Sequence, residues 1–141
     1  MLKYIPNGIY FKEEIMTDKE LIEFAREAYK NAYSPYSRVR VGAAILCSNG
    51  KIFTGCNVEN ASYGLTMCAE RVAIYNAIAA GQKQFAKIAI TSNQKREFSP
   101  CGACRQVLAE FNPRIKVIWR DARGRQKTRQ LNQLLPSLFK K

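Results

Sequence analysis

The sequence predicts an α/β fold in which a mixed sheet carries helices on both faces. Three observations lead there. An early segment repeats apolar residues at helical spacing, an Asn-Gly turn joins two apolar strand-like runs, and beyond that hairpin strands and helices alternate. Strands separated by helices need crossover connections, so the pairing expected there is parallel.

Taken in order, residues 1 to 16 show no sustained period and include Pro6 and Gly8, which reads as an extended arm or a short docking segment. Thr17-Asp18-Lys19-Glu20 is a capping box, with a hydroxyl at the cap and a carboxylate three residues on. Leu21, Ile22, Ala25, Ala28, Tyr29 and Ala32 follow at helical spacing, predicting a helix to about Tyr33, where Ser34-Pro35 disfavours continuation. Val39 to Cys47 and Ile52 to Val58 form a β-hairpin about Ser48-Asn49-Gly50-Lys51, and residues 59 to 66 form a loop. A helix follows from Met67 to Ala80, ended by Gly81. Phe85 to Thr91 is a strand, residues 92 to 99 a polar loop, Cys101 to Phe111 a helix stopped near Asn112-Pro113, and Ile115 to Trp119 a strand. After a charged turn with Gly124, Arg129 to Leu135 predicts a last helix before Pro136. No repeat, low-complexity tract or linker interrupts the chain, so residues 1–141 are expected to form a single domain with residues 1–16 as its arm.

At 141 residues, 47% of them apolar and 24% charged, the composition excludes a disordered or fibrous class. No apolar run approaches the ~20 residues of a spanning helix, and the first residues lack the apolar core of a signal peptide, so a cytoplasmic protein without membrane contact is expected. The five cysteines then read as metal ligands or buried apolar residues rather than disulfide partners. The net charge of +12 is uneven, with nine Lys or Arg against the single Asp121 in residues 113–141. Such a basic end attracts nucleic acid in some proteins. Here no aromatics alternate with the charges to stack on bases, so Arg120 to Arg129 reads as a solvated turn and helix face, and no nucleic-acid partner is expected.

The chemistry is concentrated in Cys68-Ala69-Glu70-Arg71 and Pro100-Cys101-Gly102-Ala103-Cys104. Both cysteine groups open predicted helices, where free N–H groups and the positive dipole end stabilise thiolates. A CxxC pair alone also suits redox motifs and structural zinc sites; a third thiolate from Cys68 makes a three-ligand zinc site whose fourth position stays open to water. Cys47 and Cys56 lie in apolar strands and read as small buried hydrophobes, which argues against a closed four-cysteine site. The chain has no histidine, which excludes Ser-His and Cys-His nucleophile systems. A carboxylate must then handle protons, and Glu70, two residues beyond Cys68, is placed to face the open metal position. Three thiolates leave Zn²⁺ with a net charge of −1, so Arg71 and Arg105, each directly after a cysteine, are candidates to donate to the sulfurs and restore acidity.

Beyond these groups, Tyr33-Ser34-Pro35-Tyr36-Ser37, Val41-Gly42-Ala43-Ala44 and the run from Gly55 to Gly64 (GCNVENASYG), with Cys68-Ala69-Glu70-Arg71 and Pro100-Cys101-Gly102-Ala103-Cys104-Arg105-Gln106-Val107, resemble the small homotetrameric cytidine deaminases acting on free nucleosides. The resemblance spans about Thr17 to Phe139. It implies a three-layer α/β/α fold with a five-stranded mixed sheet, and one Zn²⁺ per chain on Cys68, Cys101 and Cys104. It implies Glu70 as the proton shuttle, and hydrolytic deamination of cytidine and 2′-deoxycytidine to uridine and 2′-deoxyuridine with release of ammonia, a pyrimidine salvage step. Asn57 and Glu59, two apart on an extended chain, match the pair holding the ribose hydroxyls, with Val58 and Ala69 beside them. Ala61 and Tyr63 match positions reaching a neighbouring subunit's site, and Phe139 a C-terminal aromatic covering the site. Val39 stands where the family usually has a phenylalanine packed on the base. The alternative is an aminonucleoside-antibiotic deaminase of the blasticidin S type, which shares the three-cysteine site but which Asn57 and Glu59 disfavour. A polynucleotide-editing deaminase, or a zinc-stabilised module without catalysis, fits less well again.

Overall fold

A computed structural model describes residues 2–5, 9–12 and 15–141 of the chain. The elements are β1 (Leu2–Ile5), β2 (Ile9–Lys12), α1 (Asp18–Tyr29), β3 (Val41–Cys47), β4 (Lys51–Cys56), a 3₁₀ turn (Tyr63–Leu65), α2 (Ala69–Ala79), β5 (Phe85–Ser92), α3 (Gly102–Phe111), β6 (Lys116–Arg120), β7 (Gln126–Gln130) and α4 (Leu131–Leu134). The strands form one sheet in the order β1-β2-β4-β3-β5-β6-β7. Only β5 and β6 pair in parallel; every other neighbouring pair is antiparallel, so the sheet is mixed. No helix among the described residues is long and apolar enough to cross a membrane.

The period of two along the strands sorts the core into layers. Ala43, Ile45, Cys47, Ile88, Ile90, Val117 and Trp119 pack with α2, α3 and Leu131 of α4. Ala44, Leu46, Ala89 and Ile118 point the other way and pack with Leu21, Ile22 and Ala25 of α1. Burial on both faces explains why β3 reads as an unbroken apolar run. Two glycines set how closely the helices lie on the sheet. A Cβ on Gly42 would sit 2.6 Å from Tyr29 N at the end of α1, and one on Gly55 would sit 2.6 Å from Ala69 O in the first turn of α2.

Several expectations need correction. The sheet has seven strands rather than five. The segment expected to be an arm supplies two of them, β1 and β2 pairing antiparallel and continuing the sheet past β4; the Pro6 and Gly8 break lies outside the described residues. The capping box of α1 is formed, with Glu20 N donating to Thr17 Oγ1 at 3.2 Å and Thr17 N to Glu20 Oε2 at 2.9 Å. That helix ends at Tyr29 rather than near Tyr33, because Tyr33 is drawn into a β-bridge: Tyr33 N donates to Asn57 O at 3.0 Å and Glu59 N to Tyr33 O at 2.8 Å. A long-range pairing here outweighs local helix propensity. Residues 126–130, expected within a turn and helix face, are instead β7, and only Leu131–Leu134 is helical after it. An edge strand with a solvent face has little apolar signal to show, and its Lys and Arg residues guard the open edge against further pairing.

Candidate metal centre and active site

β4 and β5 both run antiparallel to β3 and therefore point the same way, so the helices that follow them, α2 and α3, begin at one end of the sheet. Each begins on a cysteine. Cys68 is the N-cap of α2 and Cys101 the N-cap of α3, both in extended conformation and neither using its side chain as a cap. Cys104 sits in the first turn of α3, fully buried, while Cys68 is half-buried and Cys101 exposed. The three Sγ atoms lie within 4.8 Å of one another, with Cys68 and Cys101 separated by 3.8 Å. Zn–S bonds of ~2.3 Å at the tetrahedral angle place sulfurs roughly 3.8 Å apart, so the Cys68–Cys101 pair already has the spacing of two zinc ligands, with Cys104 close by. Exposure at Cys101 and burial at Cys104 leave one side of the cluster open. Cys47 and Cys56 stay in the sheet, away from this cluster.

The crowding of the three sulfurs sets the local electrostatics. Cys68 is pulled down to about 5, first by the Cys104 thiol bonding to it, against the opposing cost of burial, and then by Arg71. Cys104 is driven strongly upward by that same bond to Cys68, by burial and by the negative charge of Glu70. One thiolate is stable there and a second is not, until a dication joins them. Arg71 Nη2 lies 3.4 Å from Cys68 Sγ, one helical turn on, and its Nε is buried without a partner. Arg105 does not reach the sulfurs. Its Nε donates to Pro100 O at 2.7 Å and its Nη1 to Leu134 O at 2.8 Å, tying the start of α3 to the end of α4. Glu70 is 5% exposed, and burial first, with the charge of Cys68 adding, pushes its carboxyl up to about 7.

A second group of side chains lies one rung away. Val58 bridges Met67, the residue before Cys68, through N–H to O bonds of 3.0 and 2.9 Å. On either side of Val58, Asn57 and Glu59 turn toward residues 36–41. Glu59, 6% exposed, accepts from Ser37 N at 3.2 Å and from Tyr36 N at 3.3 Å. Asn57 accepts from Val41 N and donates to Val39 O, both at 2.8 Å. Val39 is half-buried on the strip that Asn57 holds. Ala61, Tyr63 and Phe139 are not drawn in: all three are exposed, Tyr63 by 74% and Phe139 by 73%, although the Phe139 backbone is fastened to Gln106 by two bonds of 3.1 Å.

One residue escaped sequence reasoning. Asn93, expected only as part of a polar loop, accepts from Arg40 N at 3.0 Å and donates to Arg38 O at 3.3 Å, while its own N–H donates to Arg40 O at 3.1 Å. It grips residues 38 and 40 as Asn57 grips 39 and 41. The strip they share contains Arg38 at φ 63°, a left-handed conformation that costs a non-glycine residue energy and needs such restraint. Asn93 lies 53 residues from Arg40 in sequence, and nothing local signals the contact.

Residues 15–119 match the family model described as the cytidine and deoxycytidylate deaminase zinc-binding region. The chain belongs to this family. Within it, the sequence is 45% identical to a cytidine deaminase of Halalkalibacterium halodurans over 125 residues, covering 88% of this chain and 95% of the relative. It is 41% identical to a cytidine deaminase of Sporosarcina psychrophila over 127 residues, 89% of this chain and 93% of that one. The fold agrees with the solved cytidine deaminase of Burkholderia pseudomallei at a TM-score of 0.83 and 46% identity, over 88% of this chain and all of the other. The α/β deaminase fold and its zinc-binding region are thereby this chain's own.

Proposed function

We propose that the protein is a zinc-dependent cytidine deaminase, hydrolysing cytidine and 2′-deoxycytidine to uridine and 2′-deoxyuridine with release of ammonia. The observation that carries this reading is the meeting of three thiols within 4.8 Å at two helix starts, with the buried carboxyl of Glu70 on one of them. Family membership agrees with it and gives no support to the blasticidin S-type alternative.

In this reading Cys68, Cys101 and Cys104 hold one zinc ion. Bound there, zinc supplies a Lewis acid that makes a water nucleophilic near neutral pH. The chain's residues do the rest. Glu70 takes a proton from the attacking water and hands it to N3 of cytosine as oxygen adds at C4. It then carries a second proton to the amino group, which leaves as ammonia, and the C4–O bond remains as the uracil carbonyl. A carboxyl held near 7 is suited to both directions of transfer. Arg71 donates to Cys68 and draws charge off its sulfur.

Asn57 and Glu59 receive the ribose hydroxyls. Each is already fixed by backbone bonds, and each keeps capacity to spare: one N–H on Asn57 Nδ2 and further lone pairs on the Glu59 carboxylate. In the same reading Val58 and Ala69 adjoin the bound nucleoside, Val58 between the two ribose-binding residues and Ala69 between Cys68 and Glu70. Tyr63, Ala61 and Phe139 act across subunits of a homotetramer, a reading supported by the large apolar side chains that a single chain leaves open, among them Tyr33, Tyr63, Leu65 and Phe139. The five free thiols suit the reducing cytoplasm, and the continuous sheet suits one domain over residues 1–141.

The test is Glu70→Gln. Turnover of cytidine, followed by absorbance, should fall by about 10²–10⁴-fold while zinc per chain and the melting temperature stay at parent values. Turnover at the parent rate would remove Glu70 from the mechanism. Activity of the parent on blasticidin S without activity on cytidine would instead select the antibiotic deaminase.

A further inference from the structure

The basic segment from Arg120 takes no part in the site above. Its first half walls a cavity of about 530 Å³, between α1 from Ile22 to Tyr29, the end of β5 with the loop that leaves it, and the turn from β6 to β7. None of the three clustered cysteines lines it, nor do Glu70, Asn57 or Glu59; Asn93, which holds residues 38 and 40 beside the nucleoside site, stands on its wall. The volume falls within the range of small-molecule sites, roughly 300–1,000 Å³.

Its lining has a definite character. Arg26, Lys95, Arg96, Arg120 and Arg123 come from three separate stretches of chain and, among the described residues, face two carboxylates, Glu23 and Asp121. Both carboxylates are committed. Asp121 Oδ2 accepts from Arg125 Nε at 2.9 Å, and its Oδ1 from the backbone of Arg123 and Arg125 at 2.9 and 3.0 Å. Glu23 faces Arg26 at 3.8 Å. Among the described residues Lys95, Arg96, Arg120 and Arg123 form no salt bridge. Four cations without a salt bridge among the described residues repel one another around one concavity, and a multivalent anion seated among them reduces that cost. Guanidinium forks in particular match phosphate oxygens in pairs.

The rest of the wall is not charged. Ile22 and Ile90 close the cavity from the core, and Tyr29 and Phe98 stand at its side, with Arg96 lying 4.6 Å over the Phe98 ring. Apolar and aromatic surface next to a cationic cluster fits a planar base joined to phosphates. A long single strand would need a groove with successive stacking aromatics, whereas this half-open concavity carries two aromatics among the described residues, Tyr29 and Phe98. We propose that this cavity binds a nucleoside di- or triphosphate, at a site separate from the one that turns over nucleosides.

The test uses the full zinc-loaded chain with UTP, ATP, inorganic tripolyphosphate and a single-stranded oligonucleotide as probes, by calorimetry at low and at moderate salt. UTP or ATP should bind saturably, more weakly as salt rises, and at least about tenfold more weakly to the doubly substituted Lys95→Glu, Arg123→Glu chain. Both substituted residues are exposed, and the variant should turn over cytidine like the parent when no nucleotide is present, showing that it is folded. No saturable binding of either nucleotide by about 1 mM, or equal binding by the variant, would overturn the proposal. So would tighter binding of tripolyphosphate or of the oligonucleotide than of either nucleotide.

Discussion

Adding a single methyl group at Gly55 should cost this protein both stability and zinc. A Cβ built there lies 2.6 Å from Ala69 O and 2.9 Å from Val72 C, and closer still to Ala73 N. Ordinary contact begins at 3.4 Å, so the first turns of α2 must retreat from β4 by about 0.8 Å or more (3.4 minus 2.6). All the obstructing atoms are backbone and cannot rotate aside. The turn that moves begins at Cys68 and carries Glu70 and Arg71, while Cys101 and Cys104 stay with α3. Overpacking of this kind costs roughly 1–3 kcal/mol, and a shift near 1 Å between groups that must act together costs about 10²-fold in rate. Gly55→Ala is therefore expected to melt several degrees lower, to lose zinc on dialysis that leaves the parent loaded, and to deaminate cytidine about a hundredfold more slowly. Gly102→Ala is the control: it lies beside Cys101, has nothing within 4 Å of the new atom, and should match the parent. Parent-level zinc and turnover in Gly55→Ala would refute the view that the seat of α2 on β4 sets the distance between the two halves of the site.

Asp18 ties α1 to the sheet, taking Lys87 Nζ at 3.0 Å and Lys116 Nζ at 2.5 Å. Burial raises its pKa, but the two lysines outweigh that and the net shift is downward from 3.8. A carboxylate whose folded pKa is depressed stabilises fully above its unfolded value and loses the contribution as pH falls through the folded one. Asp18→Asn should thus cost about 1–2 kcal/mol at pH 7, discounted for the partial exposure of Lys116, and the gap to the parent should close below about pH 4 in urea unfolding curves. A gap that persists unchanged into acid would assign the loss to something other than charge. At Asn93, alanine removes the two side-chain bonds to the strip from Arg38 to Arg40. Steady-state kinetics should show KM for cytidine raised roughly five- to thirtyfold with kcat changed much less, and Asn93→Asp, which keeps the acceptor toward Arg40, in between. Equal losses in kcat and kcat/KM would show that the strip matters to the chemical step rather than to nucleoside binding.

The proposed chemistry was legible in the chain because its parts are local. Cys68 and Glu70 are two residues apart at one helix start, Cys101 and Cys104 are one turn apart at another, and the absence of histidine throws proton handling onto a carboxylate. The core was legible for a similar reason, since apolar spacing records which face of a strand or helix is buried. Most of the failures share a cause as well. The end of α1, the bond from Arg105 to Leu134 and the grip of Asn93 on Arg40 all depend on residues distant in sequence, while β7 is a local hairpin partner of β6 whose polar face hides it. No local pattern encodes the distant contacts.

By itself, then, the sequence determined which groups form the candidate metal site and which surfaces are buried, because covalent neighbours and helical periodicity set those relations. Only the tertiary structure decided that the two cysteine groups meet at 3.8 Å, that two asparagines hold one strained strip, and that the basic segment walls a cavity with Arg26 and Lys95. Those are relations between elements. They exist only once glycine-close packing on a shared sheet has fixed where each helix begins.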